Sequence, residues 1–175
     1  LVDCGDVKAI PGSAAKTFAA AEADLDEIYR AGVMPILIGG EHLTIIPGTA
    51  SFARAQKGSL GLVRFDTHID TAMDMGGEKL THCAPITRAL DLEQYSAKNT
   101  VIIGMHGPAN PVEERRWVEE HGVRMYTMDE IMDRGIKDVT REAMKIAWDG
   151  TEGVYVTVDL DCLDASFVPG TCAPE

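Results

Sequence analysis

Apolar residues come in short blocks separated by polar, helix-forming stretches, and this pattern predicts the elements almost one by one. From Ser13 to Arg30 the chain is rich in Ala, Glu, Asp and Leu, with Ser13 placed as an N-cap and Gly32 just past the end, which predicts a helix. The apolar, β-branched run Val33 to Ile38, closed by Gly39-Gly40, predicts a strand. A second such run, Leu60 to Phe65, follows a helical stretch around Leu43 to Gln56. Asn99 to Gly104 reads as a third strand, Pro111 to His121 as a helix opened by proline, and Val123 to Tyr126 as a fourth strand. Thr127 and Glu130 have the spacing of a capping box, a helix is expected over about Asp138 to Trp148, and Val154, Val156 and Val158 mark a last strand over Gly153 to Val158. Strands alternating with helices at this spacing predict an α/β fold of three layers, a mostly parallel central sheet with helices on both faces.

No internal repeat, low-complexity tract or linker divides the 175 residues, so a single domain over 1–175 is expected. Both ends look cut, because Glu175 follows the loop Gly170-Thr171-Cys172-Ala173-Pro174 with no closing element, and a fragment of a longer domain is expected. At 45% hydrophobic and 25% charged the composition excludes disordered and fibrous classes. The 16 Lys+Arg against 28 Asp+Glu give a net charge of −12, which argues against a nucleic-acid partner and favours a small cationic one. No apolar run approaches the roughly 20 residues of a membrane-spanning helix, and Leu1 to Asp6 lack the basic and apolar regions of a signal peptide. Cys4, Cys83, Cys162 and Cys172 are widely spaced without a C-x-x-C pattern, so neither a disulfide framework nor a zinc knuckle is suggested, and a reducing cytoplasm is the expected compartment.

The candidate chemistry lies where His and Asp fall relative to the strands. Glu41-His42 follows the first apolar run, Asp66-Thr67-His68-Ile69-Asp70 the second, and Asp159-Leu160-Asp161 the last. Ligands of open α/β sheets bind outside the carboxyl ends of the strands, so His42, Asp66, His68, Asp70, Asp159 and Asp161 are expected to converge. Four carboxylates so close would repel and raise one another's pKa unless positive charge sat among them, and a divalent metal supplies it. If the segments run extended, alternate residues of Asp-x-His-x-Asp and Asp-x-Asp point the same way. Carboxylates and imidazoles without thiolate suit Mn²⁺, with Fe, Co, Ni and Zn as alternatives. Six ligands exceed one open site, which favours two ions about 3.5 to 4 Å apart sharing a water that is ionised near neutral pH. His106 and His121 read as structural, Met125, Met128, Met132 and Met144 as core filler, and Cys162 as packing turned away from the ligands.

At these residues the sequence resembles the ureohydrolase family, the arginase and agmatinase group of dimanganese amidinohydrolases. Gly39-Gly40-Glu41-His42 is similar to its Gly-Gly-Asp/Glu-His motif, Phe65-Asp66-Thr67-His68-Ile69-Asp70 to its Asp-Ala-His-x-Asp motif, and Thr157 to Asp164 with Pro169 to Glu175 to its long third signature. The resemblance implies an arginase-like fold and two Mn²⁺ per chain. His42, Asp66, Asp70 and Asp159 would hold one ion and Asp66, His68, Asp159 and Asp161 the other, with Asp66 and Asp159 bridging. It further implies that Asp70 relays the proton to the departing amine, that His82 in Thr81-His82-Cys83-Ala84-Pro85 shuttles protons at the mouth, and that Glu175 accepts hydrogen bonds from the guanidinium. Cys83-Ala84 and Cys172-Ala173 stand where the family carries Gly-Thr, which puts substrate identity in question more than chemistry. Thr71-Ala72 after Asp70 departs from the arginase branch, so agmatine, cleaved to urea and putrescine, is the expected substrate. The alternatives are 4-guanidinobutyrate, 3-guanidinopropionate or guanidine, then a metal-binding homologue without turnover; a phosphoesterase would need a basic clamp that the sequence lacks near the clusters. A guanidino acid would need a basic residue at the entrance, for which Arg88 is the candidate. Family members are commonly trimers or hexamers, so a homo-oligomer is expected.

Overall fold

The computed structural model describes residues 1–171 and Ala173. Its centre is a parallel sheet in the order β3-β2-β1-β4, with β1 at Leu60–Phe65, β2 at Tyr95–Met105, β3 at Arg124–Thr127 and β4 at Gly153–Val158. The helices are α1 (Ala14–Arg30), α2 (Ile45–Ala55), α3 (Pro85–Leu90), α4 (Val112–His121), α5 (Met128–Arg134) and α6 (Ile136–Ala147). Successive side chains of a strand face opposite sides, and β1 uses both. Val63, with Val101, Ile103 and Tyr126, packs on Ile131 of α5 and Val139, Ala143 and Ala147 of α6. Leu60 and Leu62 pack on Ile45 and Ala53 of α2 and on Ile86 and Ala89 of α3. The result is the three-layer αβα arrangement that the strand–helix alternation predicts.

Local signals hold at several element ends. Ser13 accepts from the Lys16 amide to cap α1, and Thr127 accepts from the Glu130 amide to cap α5. Gly122 closes α4 at φ 75°, a left-handed conformation that costs glycine nothing. Two predicted features differ. The run Val33 to Ile38 joins no sheet among the described residues, and Ile36 and Ile38 are 67% and 90% exposed. Apolar, β-branched composition favours a strand, but a strand exists only where a neighbour completes its hydrogen-bonded ladder. Met125 and Met144 pack against the core, whereas Met128 and Met132 on α5 are exposed rather than core filler. The short helix α3 was not expected from periodicity, since six residues span fewer than two turns.

Where β1 meets α6 the packing leaves no room for a side chain. A methyl group on Gly61 would collide with the Ala147 carbonyl oxygen, a backbone atom that cannot swing aside. Gly61→Ala is therefore expected to cost about 1–3 kcal/mol through overpacking, read as a lowered melting temperature.

Candidate metal centre

The register of the sheet brings the chemistry together. Phe65 of β1 pairs with Ile103 of β2 and Val158 of β4, so Asp66 and Asp159, which follow β1 and β4, emerge side by side at the carboxyl end of the sheet, with His106 just past the end of β2. The Asp66 amide donates to the Ile103 carbonyl at 3.0 Å and the Asp159 amide to the Phe65 carbonyl at 2.8 Å, which carries the alignment one step past the strands. Gly104 sits at φ 109°, beside the Asp66 backbone, where a side chain would be strained.

Beyond the strands the segments turn rather than continue extended, which corrects the expectation from alternation. Asp159 caps a 3₁₀ turn, Leu160–Cys162, its carboxylate accepting from the Asp161 amide at 3.0 Å. Asp66 accepts from the His68 amide at 2.6 Å, and Asp70 adopts φ 49°, the one non-glycine residue with positive φ among those described. Short polar side chains bond their own backbone in this way and tolerate the left-handed region. The turns still aim the side chains inward. Two donor sets have their ligand atoms within 4.8 Å of one another: His42, Asp66 and Asp159, and Asp66, His68 and Asp161.

Asp66 is the hinge between them. Its Oδ2 lies 2.8 Å from His42 Nδ1, which is 3.1 Å from Asp159 Oδ2 and 3.4 Å from Asp70 Oδ2. Its Oδ1 lies 3.6 Å from His68 Nδ1, which is 3.0 Å from Asp161 Oδ2. Both imidazoles thus present Nδ1 to carboxylates, and the donors are oxygens and nitrogens that suit Mn²⁺ or a similar divalent ion, so the residues fit a binuclear site. The electrostatics follow from crowding. Burial would raise the Asp66 pKa, yet the Arg64 charge and the bonds to His42 and His68 hold it well below the usual carboxylate range. The hydrogen bonds to Asp161 and Asp66 push His68 up to about 10. For His42, burial and the Arg64 charge pull the pKa down, but the bonds to Asp66 and Asp70 outweigh them and it ends above the imidazole value. Asp159 is raised, by burial first, then by the charge of Asp66.

The other expected site residues fall as follows. His82 is exposed and lines the same cleft, which has a volume of about 1260 Å³ and runs between residues 34–42 and β4. Glu175 lies outside the described residues. Arg88 does not line the cleft. It is buried on α3 with its Nε 3.2 Å from Asp91, because the helix turns that face toward the core. His121 stacks on Trp117 at 4.1 Å. His106 bonds Thr67 Oγ1 at 2.7 Å and so steadies the loop after β1. Cys162 is half-buried, its thiol pushed up to about 11 by burial and the nearby carboxylates.

Three functional supports escaped the sequence reading. Asn110 accepts from the Ile69 amide at 2.9 Å and donates to the Thr67 and His106 carbonyls, pinning the 66–70 turn from across the sheet edge. Glu114 accepts from the Thr71 amide at 2.7 Å, and Thr71 is buried, so it faces Glu114 and not the cleft. Arg64, fully buried within β1, bonds Asp66 and Asp70. Its signal was present in the sequence: a charge inside an otherwise apolar central strand, two residues before Asp66.

A model of the arginase family matches residues 1–175. The chain belongs to the arginase family. It is 31% identical over 174 residues to the guanidinopropionase of Pseudomonas aeruginosa, covering 99% of this chain and 54% of that protein. To the agmatinase of Bacillus anthracis it is 30% identical over 171 residues, 97% of this chain and 54% of the relative. The formiminoglutamase of Trypanosoma cruzi, solved with Mn²⁺, superposes with a TM-score of 0.88 at 21% identity, over 98% of this chain and 56% of that one, a likeness of fold. The chain spans about half the length of the curated relatives it matches. Among the described residues no helix is long and apolar enough to cross a membrane.

Burial holds the Glu114 carboxyl above the ordinary carboxylate range despite the bond from the Thr71 amide. The folded chain then binds that proton more tightly than the unfolded chain, so this group costs stability as pH rises from the ordinary glutamate value through the raised folded one. Glu114→Gln is expected to remove that loss, so that its melting temperature relative to wild type is higher at neutral pH than at a pH below the ordinary glutamate value; an offset that does not change with pH would exclude Glu114 as the cause.

Proposed function

We infer that the protein hydrolyses the guanidino group of a small cationic substrate, agmatine, to urea and putrescine, with a divalent metal pair held by His42, Asp66, His68, Asp70, Asp159 and Asp161. The observation that carries the reading is Asp66, whose two oxygens each face a separate His–Asp set drawn from three distant stretches of chain. Convergent titratable groups of this kind in a cleft mark a site of chemistry. When bound, the ions supply a Lewis acid, a water ionised near neutral pH and stabilisation of the charge that develops during attack.

The chain's own residues do the rest. Water adds to the guanidinium carbon and the C–N bond to the alkyl nitrogen breaks, so both protons of that water end on the departing nitrogen, which leaves as an ammonium beside neutral urea. In this reading Asp70, which lines the cleft, passes the first of these protons to the departing nitrogen, and His82 at the cleft delivers the second by way of solvent. Glu175, in the same reading, orients the guanidinium. Aspartates 70, 159 and 161 and glutamates 41 and 114 line the cleft, with no Lys or Arg among its described lining residues. Asp70, Asp159 and Asp161 are engaged with the metal pair and Glu114 with the Thr71 amide, so Glu41 is the acid left to meet an ammonium tail, and no described lining cation is there to meet a carboxylate tail. The guanidinopropionase and guanidinobutyrase relatives support a second reading, hydrolysis of 3-guanidinopropionate or 4-guanidinobutyrate. A homo-oligomer, trimer or hexamer, and a cytoplasmic setting complete the proposal.

Urea release by the full-length, Mn²⁺-loaded protein from agmatine, arginine, 4-guanidinobutyrate, 3-guanidinopropionate and guanidine, with metal content measured on the same sample, tests both readings. Agmatine is expected to dominate; faster turnover of a guanidino acid would install the second reading, and two metals without urea would end both. Asp159→Ala is expected to lose metal and turnover together, and full metal content in that variant would remove Asp159 from the ligand set. His82→Asn is expected to keep its metal and to turn over about 10²-fold more slowly at least, as loss of a proton-transfer group does; an unchanged rate would exclude His82 from proton transfer.

A further inference from the structure

Asp70 holds a backbone conformation that its neighbours impose from two sides. Its φ of 49° lies in the left-handed region, which a residue other than glycine keeps only where its surroundings fix it. The two dihedrals of a residue are set by the orientation of the planar peptides on either side of it. The peptide before Asp70 is held at the Ile69 carbonyl, which accepts from Arg64 Nη1 at 2.7 Å. The peptide after it is held at the Thr71 amide, which donates to Glu114 Oε2 at 2.7 Å, and the Thr71 hydroxyl reaches the Glu114 carbonyl at 3.4 Å. With both peptides held, the direction of the Asp70 Cα–Cβ bond is held too, and Oδ2 lies 2.6 Å from Arg64 Nη2 and 3.4 Å from His42 Nδ1. Arg64 thus touches the carboxylate itself, whereas Glu114 acts on it through the backbone.

We propose that Glu114 is a positioning residue, whose side-chain oxygen, by accepting from the Thr71 amide, keeps Asp70 in the conformation that proton transfer and metal binding require. This rests on the reading of the cluster as a hydrolytic metal centre. Asn110, four residues earlier, accepts from the Ile69 amide at 2.9 Å, so the stretch after β2 grips residues 69 and 71 and leaves Asp70, between them, to face the centre. Glu114 also lines the cleft, and the competing role for it there is contact with the cationic tail of a substrate. A carboxylate that binds a tail works by charge; one that positions a peptide works by reach. Burial already disfavours the Glu114 charge while leaving its oxygen able to accept.

Two variants separate reach from charge. Glu114→Gln keeps an oxygen at the same reach without the charge, and Glu114→Asp keeps the charge but withdraws the oxygen by one C–C bond, about 1.5 Å. Both are compared with wild type for the Mn²⁺ affinity of the metal-stripped, full-length protein, and for kcat and KM at saturating Mn²⁺. Glu114→Gln is expected to match wild type within about twofold in affinity, kcat and KM. Glu114→Asp is expected to bind Mn²⁺ about tenfold more weakly, as loss of a group that orients a ligand does. It is also expected to lose at least about tenfold in kcat at unchanged KM, because a small misplacement of a reacting group is costly in rate. The reverse order, with Glu114→Asp matching wild type and Glu114→Gln raising KM, would overturn the proposal in favour of tail contact. Equal values in all three proteins, or a loss in Glu114→Gln as large as in Glu114→Asp, would overturn it outright. Should wild type bind Mn²⁺ and release no urea, the hydrolytic reading fails while the Mn²⁺ affinities still decide the role of Glu114; should it bind no Mn²⁺, the metal-centre reading falls and the proposal with it.

Discussion

The ionised carboxylate of Asp66, with no exposure to solvent, is the constraint around which the rest is arranged. Removing a carboxylate from water costs several kcal/mol unless hydrogen bonds and opposite charge replace the lost hydration. Here the replacement comes from every direction: the Arg64 fork below, His42 on one side, His68 on the other, and the backbone amide of His68 at 2.6 Å. Each partner needs its own placement. Arg64 requires the strand alternation of β1, His42 requires the turn after Gly39-Gly40, and His68 requires the turn that follows β1. The sheet can therefore be viewed as a device for delivering compensating charge to one oxygen pair.

That arrangement also explains where backbone strain is accepted. Asp70 holds φ 49°, a conformation that costs an aspartate energy unless its surroundings fix it. Asn110 fastens the residues before it and Glu114 the residue after it, through the Ile69 and Thr71 amides. Both supports come from the stretch that follows β2, so the geometry of the turn after β1 is set by a different strand. Rigid elements carry the turn, and the turn carries the chemistry.

Much of this was legible in the sequence, and the failures share a cause. The interior strands showed as apolar runs because both faces of β1 are covered, and the strand-end position of the His and Asp residues located the cluster. The segment Val33 to Ile38 failed because strand identity depends on a neighbour that local composition cannot report. Extended Asp-x-His-x-Asp and Asp-x-Asp geometry failed because Asp66 and Asp159 bond the amides two residues on, a competition between side chain and backbone that alternation ignores. Asn110, Glu114 and the fit of Arg64 were hidden for a simpler reason, since each acts across more than one element. Glu175 stays an expectation from resemblance, outside the described residues.

The same division separates what the centre decides from what its rim decides. The residues that surround Asp66 are buried or nearly so, held by several bonds each, and indifferent to the tail of a substrate. The rim is different: His82 is exposed, Cys83 and Ala84 replace the family's Gly-Thr, and the cleft wall from residue 34 to 41 carries apolar side chains and Glu41. A cation approaching an acidic chain is drawn to such a cleft, but attraction of that kind accelerates encounter for any cation and does not select among them. Selection requires a group that the wrong substrate leaves unpaired. For a carboxylate tail that group would be a buried cation, and Arg88 does not serve because it faces Asp91 from within α3. Among the described residues the rim thus supplies charge that draws cations but no group that selects among substrate tails, so the centre and its rim answer to different constraints.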